Sequence, residues 1–88
     1  ALVSKLDIDG VIVKAGNIGG LEALVRMLHQ REIPIRMADI GDITKRDIIE
    51  AEAVAEHDPY LGAIIGFDVK LVPEAKEEAK KALTASSR

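Results

Sequence analysis

A chain of 88 residues, 48% hydrophobic and 31% charged, can build one folded core but is too short for two. The absence of cysteine excludes disulfides, thiolate zinc sites and thiol nucleophiles, and 2% aromatic residues leave almost no rings for stacking on a flavin or a base. A net charge of -3 gives no general attraction to nucleic acid, so such contact would need a local basic patch. No apolar stretch reaches the ~20 residues of a membrane span, and we expect a cytoplasmic protein.

The first confident strand is followed at once by a helix. The apolar run Val11-Ile12-Val13 carries hydrophobic side chains on both faces, which is typical of a central strand covered by helices on each side. Hydrophobic residues then recur at helical spacing, at Leu21, Leu24, Val25 and Leu28. A strand, a tight turn and a helix in this order predict a parallel α/β sheet. Residues 1–9 are predicted to be a linker or irregular lead-in.

The second strand, at 33–40, is predicted to lie at the rim of the sheet. It contains Pro34, which cannot donate a ladder hydrogen bond, and Arg36, which resists burial. Helix two follows, with Thr44 as its N-cap and Asp47 placed to accept a hydrogen bond from the cap amide. The residue before Pro59 avoids the helical region, so the helix is expected to end there.

A third apolar run, at 63–69, again favours an interior strand, and Gly66 within it suggests that a helix approaches closely. Helix three begins at Pro73, with acidic residues early and basic residues late, which suits the helix dipole. The small and polar residues at 84–88 predict a frayed tail. The chain is therefore expected to form a single α/β domain over residues 1–88.

The glycine loop after the first strand lies where a phosphate-binding turn would lie. Its sequence matches neither GxGxxG nor a P-loop, and glycines are needed for tight turns in any case. We therefore assign Gly16, Gly19 and Gly41 to structural turns. An alternative pocket would be formed by Asn17, Gly19 and Asp68, between the loops after strands one and three.

No residue pattern in the chain predicts catalysis. Asp39, Asp42 and Asp68 fall near the carboxyl ends of strands, but a receiver-type magnesium site also needs acids where this chain has Lys-Ala-Gly at 14–16. The two histidines fall on different helices without a spaced partner, and no serine or threonine occupies a nucleophile elbow. We expect no catalytic residue, no metal site and no bound cofactor.

The most unusual charged pair is Lys45-Arg46 at the start of helix two. Cations at a helix N-terminus oppose the helix dipole, so their presence needs another explanation. Contact with an anionic partner such as RNA phosphate is one. The other is that Asp42 and Asp47 simply neutralise them, as surface charges usually do.

Four segments in consistent order and spacing cover most of the chain: GVIVKA at 10–15 with LEAL at 21–24, IGDITKRD at 40–47, EHDP at 56–59 and IIGFDV at 64–69. Together they resemble the third domain of bacterial translation initiation factor 2 and of its archaeal and eukaryotic counterpart, factor 5B. The archaeal form is the most similar.

The resemblance implies a three-layer α/β/α sandwich around a parallel sheet of strand order 2-1-3-4, in which the fourth strand follows helix three. Residues 84–88 stand in that place here, so we expect the order 2-1-3 without the fourth strand. Strand three would then be left exposed or paired with another chain. The glycine loop after the first strand also departs from the family at 16–17 and at Gly20. Contacts that the side chains of this loop make in the family are therefore not expected in this chain.

The resemblance also implies a function in translation initiation. In that family this domain hydrolyses nothing, a GTPase domain precedes it, and a long helix leads from it to a domain that holds initiator tRNA. The implied role is a rigid, non-catalytic spacer near the small ribosomal subunit during subunit joining, with Lys45 and Arg46 as candidate rRNA contacts. Its partners would be the ribosome and the flanking domains of the same factor, without a membrane. The alternatives are a small ligand-binding or receiver-like α/β module and an excised or engineered fragment.

Overall fold

Three strands and three helices alternate along the part of the chain that the structure describes. The structure is a computed structural model that describes the backbone of residues 9–86 and the side chains of residues 9–81. The elements are β1 (Val11–Ala15), α1 (Ile18–Gln30), β2 (Ile35–Ile40), α2 (Lys45–His57), β3 (Ile64–Phe67) and α3 (Pro73–Ser86). No helix within the described residues is long and apolar enough to cross a bilayer.

The sheet has the order β2-β1-β3, and β1 pairs in parallel with both neighbours. All five residues of β1 are buried, which confirms its prediction as the central strand. β2 lies at one edge, as Pro34 and Arg36 predicted. The register between β1 and β2 shifts between Val11 and Ile12.

The prediction of an interior position for the third strand is wrong. β3 pairs with β1 on one side, and no other strand within residues 9–86 pairs with its opposite edge. Ile65 packs against the α1 side of the sheet and Ile64 against the side of α2 and α3, while Phe67 is 54% exposed. The apolar run therefore reflects helices on both faces, not strands along both edges. The observed order 2-1-3 is the one expected for this chain from the family resemblance, without the fourth strand.

The helices cover both faces of the sheet and make three layers. The core on the α1 side contains Val11, Val13, Ala15, Leu21, Val25, Leu28 and Ile35. The core on the other side is smaller and contains Ile43, Ile48 and Ala75, with partly buried neighbours that include Ile64 and Leu71. Val11, Val13 and Ala15 of β1 belong to the first core, whereas Lys14 between them contacts Asp47 of α2, so β1 meets helices on both faces.

The prediction that Gly66 allows a helix to approach closely is wrong, because loop side chains lie next to it. A Cβ atom built there would lie 2.8 Å from Val69 Cγ2 and 3.4 Å from Ile43 Cδ1. Both neighbours belong to segments between a strand and a helix. The small residue at position 66 therefore makes room for loop side chains that fold over the sheet.

Helix α3 begins at Pro73 as predicted but continues through Ser86. The frayed tail predicted at 84–88 is therefore wrong for 84–86. The physical reason is that no proline or glycine follows Pro73, and alanine and leucine favour the helical backbone. Residues 87–88, and residues 1–8 of the predicted lead-in, lie outside the described part of the chain.

Candidate functional site

The candidate site is the first turn of α2, where Lys45 and Arg46 are the first two helical residues. The turn is fixed by the predicted capping box. The Asp47 backbone N–H donates to Thr44 Oγ1 at 3.3 Å, and the Thr44 backbone N–H donates to Asp47 Oδ2 at 2.8 Å. These bonds satisfy amides that the start of a helix would otherwise leave unpaired, so the direction of the turn is well defined.

Asp47 has a second partner that the sequence analysis missed. Lys14 Nζ lies 3.1 Å from Asp47 Oδ2, and the two side chains are only 6% and 4% exposed. Lys14 belongs to the central strand, so the ion pair connects the middle of the sheet to the first turn of α2. The available signal was a lysine in an otherwise apolar strand together with an acid in the first turn of a later helix. Charged residues are seldom this deeply buried unless they are paired.

Neither nearby acid forms an ion pair with Lys45 or Arg46 in the part of the chain that the structure describes. Asp47 is held by Lys14, and Asp42 Oδ1 accepts a hydrogen bond from the Lys70 backbone N–H at 3.1 Å. Both cationic residues are exposed, and within residues 9–81 neither has a carboxylate in ion-pair distance. The close ion pairs that would neutralise Lys45 and Arg46 are therefore not found among residues 9–81, because the acids that are close along the chain bond to other segments.

A groove of about 550 Å³ runs beside this turn, between α2 and the edge strand β2. Its lining includes Arg46, Met37 and Asp39, together with an ion pair between Arg36 Nε and Glu50 Oε2 at 2.8 Å. The groove carries charges of both signs, so it does not by itself select an anion. Arg46 lies at its border and is available to a partner from outside.

Of the three glycines predicted to lie in turns, Gly16 and Gly41 do so and Gly19 does not. Gly41 has a φ of +121°, which side-chain-bearing residues rarely adopt. Gly16 lies in the turn after β1, and a Cβ there would be 2.6 Å from the Asp68 carbonyl oxygen. Gly19 is not a turn residue, because α1 already begins at Ile18. Its assignment to a turn is wrong because Asn17 caps the helix earlier, accepting the Gly20 backbone N–H at 2.8 Å.

The alternative pocket residues lie on neighbouring loops, but the space between these loops is narrow. Asp68, with a φ of 58°, places its carbonyl oxygen against Gly16, and the Gly16 backbone N–H donates to Phe67 O at 3.1 Å. The Asn17 side chain is engaged as the helix cap. The Gly16 and Gly20 backbone N–H groups are therefore already bonded within the chain.

Beyond the carboxyl end of β1, the segments that follow β2 and β3 meet directly. Ile43 and Leu71 form a parallel bridge. The Ile43 N–H donates to Lys70 O at 2.9 Å, and the Val72 N–H donates to Ile43 O at 3.0 Å. Ligands of open α/β sheets bind in the crevice at this edge, where strand order reverses. The bridge occupies part of that crevice with main chain.

Among the side chains of residues 9–81, the remaining polar groups do not gather into a reactive site. His57 Nδ1 lies 3.3 Å from Asp9 Oδ1, and His29 is exposed on α1. Asp39 Oδ1 accepts the Ile40 backbone N–H at 2.8 Å. Within the described residues, no group of three or more His, Asp or Glu side chains is arranged to hold a metal ion.

One carboxylate contact lies between α2 and α3, away from the candidate site. Partial burial raises the pKa of Glu52, and the negative charge of Glu78, a hydrogen bond to Glu78 and the charge of Glu56 raise it further. The Glu52 carboxyl group is therefore protonated more readily than an isolated glutamate.

Residues 3–84 match the family described as Translation-initiation factor 2. The chain belongs to this family. The probable translation initiation factor IF-2 of Hyperthermus butylicus is 53% identical over 81 residues, which are 92% of this chain and 13% of that protein. That of Methanopyrus kandleri is 55% identical over 75 residues, which are 85% of this chain and 12% of that protein.

A solved structure in the initiation factor family shares the fold. The crystal structure of GDP-bound aIF5B from Aeropyrum pernix matches with a TM-score of 0.80 and 49% identity, over 83% of this chain and 12% of that one. The family and the parallel α/β fold that the sequence segments implied are thus confirmed. The chain spans about an eighth of the length of these relatives.

Proposed function

We propose that this chain is a non-catalytic, rigid spacer domain of a translation initiation GTPase. It links the GTPase part to the part that binds initiator tRNA, and it packs near the small ribosomal subunit during subunit joining. The family membership supports the setting, and the GTPase activity belongs to another part of the factor. Lys45 and Arg46 contact ribosomal RNA in this proposal.

The observation that carries the RNA contact is a pair of exposed cations on the first turn of α2 that form no ion pair within residues 9–81. Lys45 and Arg46 are exposed, while the acids on either side of them bond to Lys14 and to the Lys70 backbone. Two cations at a helix N-terminus are unfavourable for an isolated helix. A phosphate partner would turn this local cost into binding free energy.

Stiffness supports the spacer role. Helices cover both faces of the sheet, β1 is fully buried, and the Ile43–Leu71 bridge joins the segments beyond its end. Packed layers of this kind move as rigid bodies more readily than they bend. A rotation at one end of the domain would therefore reach the other end undiminished.

The RNA contact is tested in a full-length factor that carries this domain. Lys45→Ala with Arg46→Ala should weaken binding to small ribosomal subunits and reduce the slope of log affinity against log salt by about two, one for each lost phosphate contact. The matched control is Lys80→Ala with Lys81→Ala, which removes two exposed cations from α3. Equal affinity and slope for both double variants would contradict the contact.

The spacer role is tested by replacing the domain with a flexible Gly/Ser linker of similar span. We expect GTP hydrolysis to persist and the rate of subunit joining to fall. Undiminished joining would contradict the role.

Titration of the 88-residue chain with nucleotides, flavin mononucleotide and magnesium, followed by amide NMR, tests the competing ligand-binding function. Saturable shifts confined to Asn17, Gly19 and Asp68 would favour a pocket.

A further inference from the structure

The buried ion pair between Lys14 and Asp47 affects the positive charge that Lys45 and Arg46 present at the start of α2. Asp47 follows Arg46 directly, in the same helical turn as Lys45. A free carboxylate in that position would cancel half of the positive charge of the two cations. The structure instead places the Asp47 side chain beneath the helix, 3.1 Å from Lys14 Nζ and almost fully buried.

We propose that Lys14 is an internal counter-ion that cancels the Asp47 charge, so that Lys45 and Arg46 present their full charge to an RNA phosphate. Lys14 is then a positioning residue, which acts on the RNA contact without touching RNA. This proposal rests on the contact proposed above for Lys45 and Arg46. It assigns a role in recognition to a residue in the centre of the sheet.

The geometry favours this role because each end of the ion pair is held in place. Lys14 lies in β1, which is hydrogen-bonded to strands on both sides and buried along its whole length. Asp47 Oδ2 also accepts the Thr44 backbone N–H at 2.8 Å, so the carboxylate is oriented from the helix side as well. The pair contributes no net charge, and Coulomb attraction between its members is strong where water is excluded.

The decisive variant removes both charges of the pair. Lys14→Met with Asp47→Asn leaves no unpaired buried charge, and the asparagine oxygen can still accept the Thr44 N–H. If the pair is internally neutral, the electrostatic potential at Lys45 and Arg46 should not change. If Asp47 instead neutralises the surface cations, its loss should raise that potential.

The potential is measured on the 88-residue chain by NMR, from amide relaxation at positions 45 and 46 with positively and negatively charged paramagnetic probes. Asp42→Asn is the positive control, because Asp42 is exposed and its replacement keeps an acceptor for the Lys70 N–H. We expect Asp42→Asn to change the ratio of the two relaxation effects roughly threefold at low salt. Lys14→Met with Asp47→Asn should leave it as in the natural chain. A change as large as that of the control would overturn the proposal.

Ribosome binding separates this proposal from the one on which it rests. In the full-length factor, Lys14→Met alone should weaken binding to small subunits, because the Asp47 charge is then uncancelled, and the neutral variant of the pair should restore the natural affinity. Asp42→Asn should bind about twofold to threefold more tightly. If Lys45→Ala with Arg46→Ala binds normally, the RNA contact is wrong, and the role of Lys14 in recognition is lost with it. If that variant binds weakly but the neutral variant binds more tightly than the natural factor, only the counter-ion role is wrong.

Discussion

Lys14 in the central strand and Asp47 in the first turn of α2 form an ion pair of 3.1 Å that is almost completely withdrawn from solvent. The pair joins the sheet to the layer of helices above it. Removing two charges from water is costly, and the attraction between them offsets that cost only when the geometry is good and the other hydrogen bonds are made. Here Thr44 supplies one such bond.

Loss of one member of the pair should be far more harmful than loss of both. Asp47→Ala is expected to lower the free energy of unfolding by about 3–5 kcal/mol, because it leaves Lys14 buried without a counter-charge. Lys14→Met with Asp47→Asn should cost about 1–2 kcal/mol, which reflects altered packing alone. Urea unfolding measures both. Equal losses would mean that burial of the unpaired charge is not the cause.

Replacement of Gly16 by alanine should lower the stability of the chain, whereas replacement of Gly19 by alanine should raise it. Gly16→Ala would bring a Cβ to 2.6 Å from the Asp68 carbonyl oxygen, and we expect it to destabilise the chain by about 1–3 kcal/mol. Gly19→Ala meets only Asn17 Oδ1 at 3.5 Å and lies in a helix, so it should stabilise the chain by up to about 1 kcal/mol. Thermal unfolding of the two variants measures both changes in stability. A stabilising Gly16→Ala would contradict the close approach of the two loops.

The cap of α1 depends on one side chain. Asn17→Ala should cost about 1 kcal/mol of unfolding free energy, because the Gly20 N–H loses its acceptor at the helix start. Asn17→Ser is the matched control, since serine caps helices about as well as asparagine. Guanidinium unfolding of both variants measures the difference. If serine and alanine are equally destabilising, capping is not the source of the loss.

The carboxylates between α2 and α3 predict a pH dependence of stability. The pKa of Glu52 is raised by burial and by Glu78, so its contribution is favourable below the unfolded-state pKa and is lost as the pH rises through the raised pKa. Glu52→Gln should therefore be more stable than the natural chain by a few tenths of a kcal/mol at pH 7, with no such gain in the acid range. Urea unfolding across pH measures this.

A double variant identifies the partner of Glu52. Glu78→Gln should relieve the same repulsion, so combining it with Glu52→Gln should gain little beyond either single change. Full additivity at pH 7 would place the repulsion elsewhere.

Local patterns in the sequence were sufficient for most of the fold. The apolar run at 11–13 and the proline and arginine at 34 and 36 placed the central strand and one edge, because burial and hydrogen bonding constrain these residue types strongly. The same reasoning failed for β3. Side-chain polarity records what covers the faces of a strand, whereas pairing along its edges involves main-chain groups that every residue has.

The sequence predicted the helical turn that carries Lys45 and Arg46, but it did not predict the partners of the acids beside them. The sequence identified Lys45 and Arg46, and the capping box located the turn that carries them. The partners of Asp42 and Asp47 are 28 and 33 positions away along the chain, at Lys70 and Lys14. Spacing rules describe neighbours within a helix, so long-range partners of this kind remain invisible until the strands are arranged in a sheet.

The bridge between Ile43 and Leu71 gives the two outer strands a direct mechanical connection. A force applied to the segment after β2 reaches the segment after β3 through two main-chain hydrogen bonds, without passing through β1. The three strands and the bridge therefore behave as a closed frame, and such a frame resists shear between its outer members.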